Sequence, residues 1–139
     1  MAHPFSAGAI VYAKDIRLVA RFYAEVADLE FMHEVEDHIV LESETVELVV
    51  VAIPAAIAKD IHISVPPKRR ENTALKLVFA VPSLDAARAT ARERGGDLNP
   101  PAKEWSFQGL RVCDGCDPEG NMIQLRELPA DAGLGDVED

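Results

Sequence analysis

Cysteine is scarce in this sequence, with only Cys113 and Cys116 among 139 residues. Two thiols cannot supply the disulfide framework of a small secreted domain, which favours a reducing compartment. Long apolar runs are also missing, because every run is far shorter than the roughly 20 residues that a helix needs to span a bilayer. The first residues, MAHPF, have neither the basic nor the apolar region of a secretory signal. These absences predict a soluble protein of the cytoplasm.

Basic residues are outnumbered as well: 14 Lys and Arg stand against 24 Asp and Glu, which gives a net charge of −10 at pH 7. Such a chain repels nucleic-acid phosphates and anionic lipid, so neither nucleic acid nor membrane is expected as a partner. The last eleven residues, 129–139, hold four of the acidic side chains. We interpret them as a flexible acidic tail that aids solubility, with a partner-binding tail as the alternative. The 48% hydrophobic residues and the length predict one globular domain with an apolar core.

The first half of the chain predicts a strand, a helix and three further strands. Residues 7–12 form a short run of strand-forming side chains, and Asp15 follows as a candidate N-cap. Apolar residues then recur at helical spacing until Asp28, which predicts an amphipathic helix packed on a sheet. Three strand-like runs follow, at residues 31–35, 38–41 and 45–53.

The second half repeats this order. Its parts are a strand at 75–81, a helix that begins after Ser83 and ends at Gly95-Gly96, strands at 109–113 and 122–128, and a tight turn at 117–121. We therefore predict an α+β fold in which two βαβββ modules, residues 7–53 and 75–128, form a cup from curved mixed sheets. Two such halves in one sequence are an internal repeat of pattern rather than of residue identity.

Residues 54–74 break the pattern and are interpreted as a connector between the modules. Prolines at 54, 66 and 67 bracket an apolar segment, residues 61–65, that is a candidate edge strand. The charged run KRRE at 68–71 predicts a solvated turn.

Three features together resemble the glyoxalase / bleomycin-resistance / extradiol-dioxygenase superfamily, also called the vicinal oxygen chelate proteins. They are Asp15 after the first strand, Phe22-Tyr23 late in the first helix, and the turn DPEGN at 117–121 that leads into Ile123-Gln124-Leu125. The sequence departs from the family at Ala27-Asp28, where Leu-Gly is usual. Asp tolerates the left-handed conformation that Gly supplies, so the turn can still form.

The resemblance implies a cup that, in metal-dependent members, holds a divalent ion chelated by two neighbouring oxygens of the substrate. The four ligand positions of the family fall here on Gly8, Glu47, Lys76 and Gln124. Gly8 has no side chain, and the Lys76 ammonium repels a cation. We therefore expect no family-type metal site and assign no cofactor; Glu47 and Gln124 are the expected ligands if a divalent metal binds.

Glu47 is the candidate catalytic residue, because a carboxylate within an apolar strand is rare unless it has a role or a partner. As a residue lining the cup it can act as a general base or hold a donor of the ligand. The alternatives are an exposed strand face or an ion pair with Lys76. Gln124 and Arg126 share a strand face and are candidate ligand-binding residues, as is Lys76.

Four further residues are candidates for the binding site. Trp105 and Phe107 lie in a polar stretch where aromatic rings can close over a ligand, or else cap the core. Arg111 and Tyr12 are candidates by strand position alone. The Cys-x-x-Cys spacing at Cys113 lacks a second pair for a zinc site, so both cysteines are interpreted as ordinary thiols.

Three functions remain open from the sequence. The first is a protein of the bleomycin-resistance kind that binds a small organic molecule without metal, and the acidic chain suits a cationic ligand. The second is a metal-dependent lyase, isomerase or dioxygenase that uses Glu47 and Gln124. The third is an interaction module whose cleft is filled by side chains. The resemblance also implies a homodimer.

Overall fold

A computed structural model describes residues 4–130 of the chain. Its first sheet has the strand order β1-β4-β3-β2, in which β1 runs parallel to β4 and the other pairs are antiparallel. The elements of this half are β1 (Ala7–Ala13), α1 (Ile16–Val26), β2 (Glu30–Val35), β3 (His38–Glu42) and β4 (Val46–Ala52). A single helical turn, α2 (Ala55–Ala58), follows at the start of the connector.

The second sheet repeats the first, with the order β5-β9-β8-β6 and β5 parallel to β9. Its elements are β5 (Leu77–Val81), α3 (Leu84–Glu93), β6 (Asp97–Leu98), β7 (Trp105–Phe107), β8 (Leu110–Cys116) and β9 (Met122–Glu127). A short 3-10 turn occupies Pro101–Lys103, and β7 pairs with the outer half of β8. The prediction of an α+β fold with two curved mixed sheets is confirmed.

The local signals at the helix ends also hold in the structure. The Asp15 carboxylate accepts a hydrogen bond of 3.1 Å from the backbone N of Leu18, and Ser83 Oγ accepts an equivalent bond from Ala86. Asp28 has φ of 57°, the left-handed conformation expected where the family usually has Gly. Asp15 and Ser83 accept from backbone N–H groups of the first helical turn, and Asp28 adopts a left-handed conformation that Asp tolerates.

The core lies between the helices and one face of each sheet. The buried side of α1, including Phe22 and Tyr23, packs on β3 and β4, where Ile39 and Leu48 are almost fully buried. Each such side chain contributes about 1.5–3 kcal/mol, so packing stabilises an eleven-residue helix that is marginal alone. The opposite surface, which we call the helix-free face, carries exposed side chains such as Tyr12 on β1.

Two predictions about local structure are wrong. Residues 61–65 form no strand in the part of the chain that the structure describes, and the connector runs there as irregular backbone. Trp105 and Phe107 lie in a strand rather than a loop, because Gln108 and Gly109 both have positive φ and close a two-residue hairpin between β7 and β8.

Strand β8 extends through Cys116 instead of ending at Cys113. Within residues 4–130, no helix combines the length and apolarity that a bilayer crossing requires. Residues 131–139, which carry the charge of the predicted acidic tail, lie outside the described residues.

Candidate functional site

A cavity of about 570 Å³ lies where the two sheets meet. Strand β1 is an edge of the first sheet and β5 is an edge of the second, so the edges of the two modules border this space. We call it the seam cavity, and it is defined by Gly8, Ala9, Ile10, Val11, Tyr12, Tyr23, Arg70, Thr73, Leu75, Leu77, Asn121 and Met122. Its volume lies within the range of small-molecule pockets.

The seam cavity has an apolar wall with a few polar groups. Ile10 and Tyr12 contribute exposed side chains from β1, each 59% accessible. Gly8 also lines the cavity, and a larger residue there would crowd β4, because its Cβ would lie 2.9 Å from the backbone oxygen of Glu47. Arg70 and Asn121 also line the cavity and carry hydrogen-bonding groups. This composition, apolar with few convergent polar groups, is typical of a ligand site.

A second cavity of about 420 Å³ adjoins the seam cavity and shares Thr73, Leu75 and Met122 with it. Lys76 and Asp114 line this space. The connector therefore forms part of the wall of both cavities.

Four predicted residues meet in one row of polar contacts on the helix-free face. Lys76 Nζ lies 3.0 Å from Oδ2 of Asp114, whose Oδ1 accepts a bond of 3.3 Å from Gln124 Nε2. Arg126 Nε donates to Gln124 Oε1 at 2.9 Å, and its guanidinium lies 4.7 Å from the centre of the Phe107 ring. We call these five residues the polar row. Opposite charges and a cation–π contact hold their side chains in place.

The four family positions for a metal do not fit a divalent ion. The Lys76 ammonium is paired with Asp114, not with Glu47 as one interpretation of the sequence had it. The Gln124 oxygen already accepts a hydrogen bond from Arg126. Glu47 is thus the remaining hard ligand, whereas catalytic metals take about three protein ligands. Within residues 4–130, no group of three or more His, Cys, Asp or Glu side chains is arranged to hold a metal ion.

Glu47 lies half-buried on β4, beside Gly8 of β1 and Glu42 of β3 in the strand register. It lines neither of the two cavities described above. Tyr12 does line the seam cavity, and Trp105 lies on β7 opposite Val112, with 41% of its surface exposed.

Arg111 does not join the polar row. It pairs in register with Glu127, whereas the neighbouring position of β8 pairs with Arg126, so Arg111 points to the other face of the strand. There its guanidinium contacts the carboxylates of Glu104 and Glu127.

The sequence interpretation missed Arg70, Thr73 and Asp114. The first two belong to the connector, where the KRRE run was expected to be a solvated turn; Arg70 instead lies half-buried against the turn between β8 and β9. A run of three cations in an acidic chain is the signal that could have found Arg70. Asp114 has no local signal, because its partner Lys76 is 38 residues away.

Comparison with known proteins agrees with this architecture. A family model described as a glyoxalase-like domain matches residues 9–126. No curated protein matches the sequence.

Solved structures share the fold at low sequence identity. A glyoxalase/bleomycin resistance protein/dioxygenase family enzyme from Burkholderia phytofirmans PsJN superposes with a TM-score of 0.66 at 16% identity, over 88% of this chain and 97% of that one. The fosfomycin resistance protein FosX from Mesorhizobium loti superposes with a TM-score of 0.61 at 13% identity, over 96% of this chain and 99% of that one. A bleomycin resistance determinant encoded on the transposon Tn5 superposes with a TM-score of 0.58 at 14% identity, over 89% of this chain and 98% of that one. With its doubled sheet order and the family match over most of its length, the chain belongs to the glyoxalase-like domain family.

Proposed function

We propose that this protein binds a small organic molecule in the seam cavity and does so without the divalent ion of its metal-dependent relatives. The observation that carries the proposal is the cavity of about 570 Å³ between the modules, with its apolar wall and convergent polar groups. Pockets of this size and composition bury most of a drug-sized ligand. Two fold neighbours, named as fosfomycin and bleomycin resistance proteins, are also named for small molecules.

The predicted residues take two roles in this proposal. Tyr12 contacts the ligand directly, since its ring forms part of the apolar wall. The polar row lies beside the adjoining cavity, where Lys76 and Asp114 form one wall, and it orients polar groups of a ligand that extends there. Because Lys76 and Asp114 are already paired with each other, they offer hydrogen bonds without requiring an unpaired charge of their own in the apoprotein.

A variant that fills the cavity tests the site. We expect thermal-shift and ligand-observed NMR screens of a fragment library to give binders for the wild type that Ile10→Trp loses, because the indole occupies the ligand's volume. Val35→Trp is the matched control: Val35 is an exposed apolar residue at the end of β2, in the opposite edge strand of that sheet from β1. Binders that survive Ile10→Trp unchanged contradict the placement of the site, and a wild type without binders contradicts the function.

The metal-free part of the proposal has a separate test. We expect elemental analysis of protein purified without chelator and without a nickel column to give well below one divalent ion per chain. The physical reason is the donor set, in which Gly8 and Lys76 hold two of the four family positions. A stoichiometric ion that Glu47→Ala removes would favour instead the metal-dependent lyase, isomerase or dioxygenase.

A further inference from the structure

Three consecutive cations of the connector, Lys68, Arg69 and Arg70, lie beside the proposed binding site. They line a cavity of about 330 Å³, and Arg70 also lines the seam cavity, so the two spaces meet at its side chain. Thr73 lines both of these cavities and the 420 Å³ one. The chain as a whole carries −10, yet this wall of the site is locally positive.

Two hydrogen bonds hold Arg70 in place, one from its backbone N and one from its side-chain Nε. Its backbone N donates to the Gly120 oxygen at 2.9 Å, and its Nε donates to the backbone oxygen of Glu119 at 3.2 Å. Among residues 4–130, neither Nη group donates to a protein acceptor. A guanidinium fixed at Nε with both Nη groups available matches the two oxygens of a carboxylate or a phosphonate.

Two of the neighbouring cations already have partners. Arg69 contacts Asn99 and Asp97, and Lys76 contacts Asp114. Glu119 does line the 330 Å³ cavity, but its carboxylate is buried and accepts from the backbone N of Lys14 and Asp15. Within the described residues, the two Nη groups of Arg70 are therefore available to a ligand.

We infer that the ligand is an organic oxyanion, with an apolar or aromatic body against Ile10 and Tyr12 and its anionic group on Arg70. This inference rests on the proposed function and adds the chemical class of the ligand. It replaces the cationic ligand expected from net charge, because the field inside a cleft is set by nearby groups, and four of the acidic residues lie in the tail at 129–139.

Three matched probes test the charge preference by isothermal titration at low salt: benzoate, benzamide and benzamidine. We expect benzoate to bind about tenfold or more tightly than benzamide, as charge-assisted hydrogen bonds are the stronger kind. Benzamidine should bind more weakly than either. Phenylphosphonate, compared with benzoate, tells a phosphonate site from a carboxylate site.

Variants at Arg70 test whether this side chain causes the preference for benzoate. We expect Arg70→Gln to weaken benzoate binding about tenfold and to leave benzamide binding unchanged. Arg70→Lys keeps the charge but loses the paired N–H donors of the guanidinium, so its affinity for benzoate should be intermediate. The control is Arg17→Gln, which makes the same charge change on a side chain that is 80% exposed and paired with Glu34. Circular dichroism verifies that each variant is folded.

The outcomes separate this inference from the proposed function. If benzamide or benzamidine binds as well as benzoate and Ile10→Trp abolishes that binding, the site stands and the oxyanion inference fails. If benzoate retains its advantage in Arg70→Gln, the inference fails as well. If no probe binds the wild type at any concentration up to solubility, the oxyanion inference fails, and the fragment screen then decides whether the binding function fails with it.

Discussion

Tyr23 and Asp117 form a buried hydrogen bond between the two modules. The Tyr23 hydroxyl donates to Asp117 Oδ2 at 2.8 Å, and both residues are almost inaccessible. Burial, assisted by the neighbouring carboxylate, raises the pKa of Tyr23 well above its ordinary value, so the hydroxyl remains a donor. We expect Tyr23→Phe to lower the free energy of unfolding by about 1–3 kcal/mol, because Asp117 loses a donor where water cannot replace it. Urea unfolding measures this loss.

The other tyrosine of the chain supplies the control for that substitution. Tyr12 is 59% exposed, so Tyr12→Phe should change the unfolding free energy by less than about 0.5 kcal/mol. Equal losses in the two variants would mean that the Tyr23 hydroxyl adds nothing beyond its ring.

The two cysteines are expected to be inert in the native protein. They are three residues apart on β8, so their side chains lie on opposite faces and cannot form a disulfide. Both are buried, and burial raises the pKa of each thiol. We expect Ellman's reagent to label them on the order of 100-fold more slowly in native protein than in denaturant, because the thiolate forms only on opening. Comparable rates would contradict this placement.

The same thiols make stability depend on alkaline pH. Their pKa in the folded protein lies above the unfolded value, so their contribution is fully present below the ordinary thiol pKa. It is lost as pH rises from that value through the folded pKa, since only the unfolded chain ionises there. Urea midpoints should therefore fall over this interval in wild type and fall less in Cys113→Ala/Cys116→Ala.

At the scale of elements, Glu104 ties α3 to β8. Its carboxylate contacts Arg88 of α3 and Arg111 of β8, and its side chain is 8% exposed. Burial acts to raise the pKa of Glu104, but the hydrogen bonds from Arg111 and Arg88 outweigh it and the pKa lies below its ordinary value. The ion pairs therefore stabilise the fold above the ordinary glutamate pKa, and this contribution is lost as pH falls through the folded pKa.

Glu104→Gln tests this connection. We expect a loss of about 1–2 kcal/mol at pH 7, because Arg88 and Arg111 each lose one of their two charged partners, and a smaller difference from wild type in acid. Urea titrations across the acidic range measure both. The exposed Glu36→Gln is the control and should follow wild type at every pH. A difference that stays constant with pH would show that Glu104 acts by packing alone.

Elements governed by short-range chemistry could be predicted from the sequence. The caps at Asp15 and Ser83 and the left-handed Asp28 depend on side chains within three residues of the backbone group they satisfy. The β7–β8 hairpin was missed because its turn is Gln108-Gly109, and Gln lacks the short side chain that favours left-handed conformation in the usual Asn-Gly and Asp-Gly turns.

At the scale of the molecule, the site depends on where the connector lies. Gly8, Glu47, Lys76 and Gln124 could be assigned from the family pattern, but the seam cavity is completed by Arg70 and neighbouring connector residues. Their position is set by contacts such as Arg70 to the turn at 117–121, made across 49 residues of chain. No periodicity or helix-capping pattern encodes such a contact. The sequence therefore predicted the cup but not the connector residues that line it.

The turn at 117–121 also joins the two modules. The Glu119 carboxylate, 3% exposed, accepts hydrogen bonds from the backbone N of Lys14 at 2.9 Å and of Asp15 at 2.8 Å. A side chain of the second module thus satisfies donors at the N-terminus of α1, where the helix dipole favours a negative charge. Together with Tyr23 on Asp117, this contact should make the modules unfold as one unit.

Glu119→Ala should therefore weaken both stability and cooperativity. We expect a loss of about 1–3 kcal/mol, because two partly buried backbone donors of the first module lose their acceptor. In the wild type, Trp105 fluorescence, which reports the second module, and far-ultraviolet circular dichroism should give the same urea midpoint. In the variant the two midpoints should separate, whereas the exposed Glu36→Ala should keep them together. Coincident midpoints in Glu119→Ala would place the coupling of the modules in the Tyr23–Asp117 hydrogen bond and the contact between α1 and α3 instead.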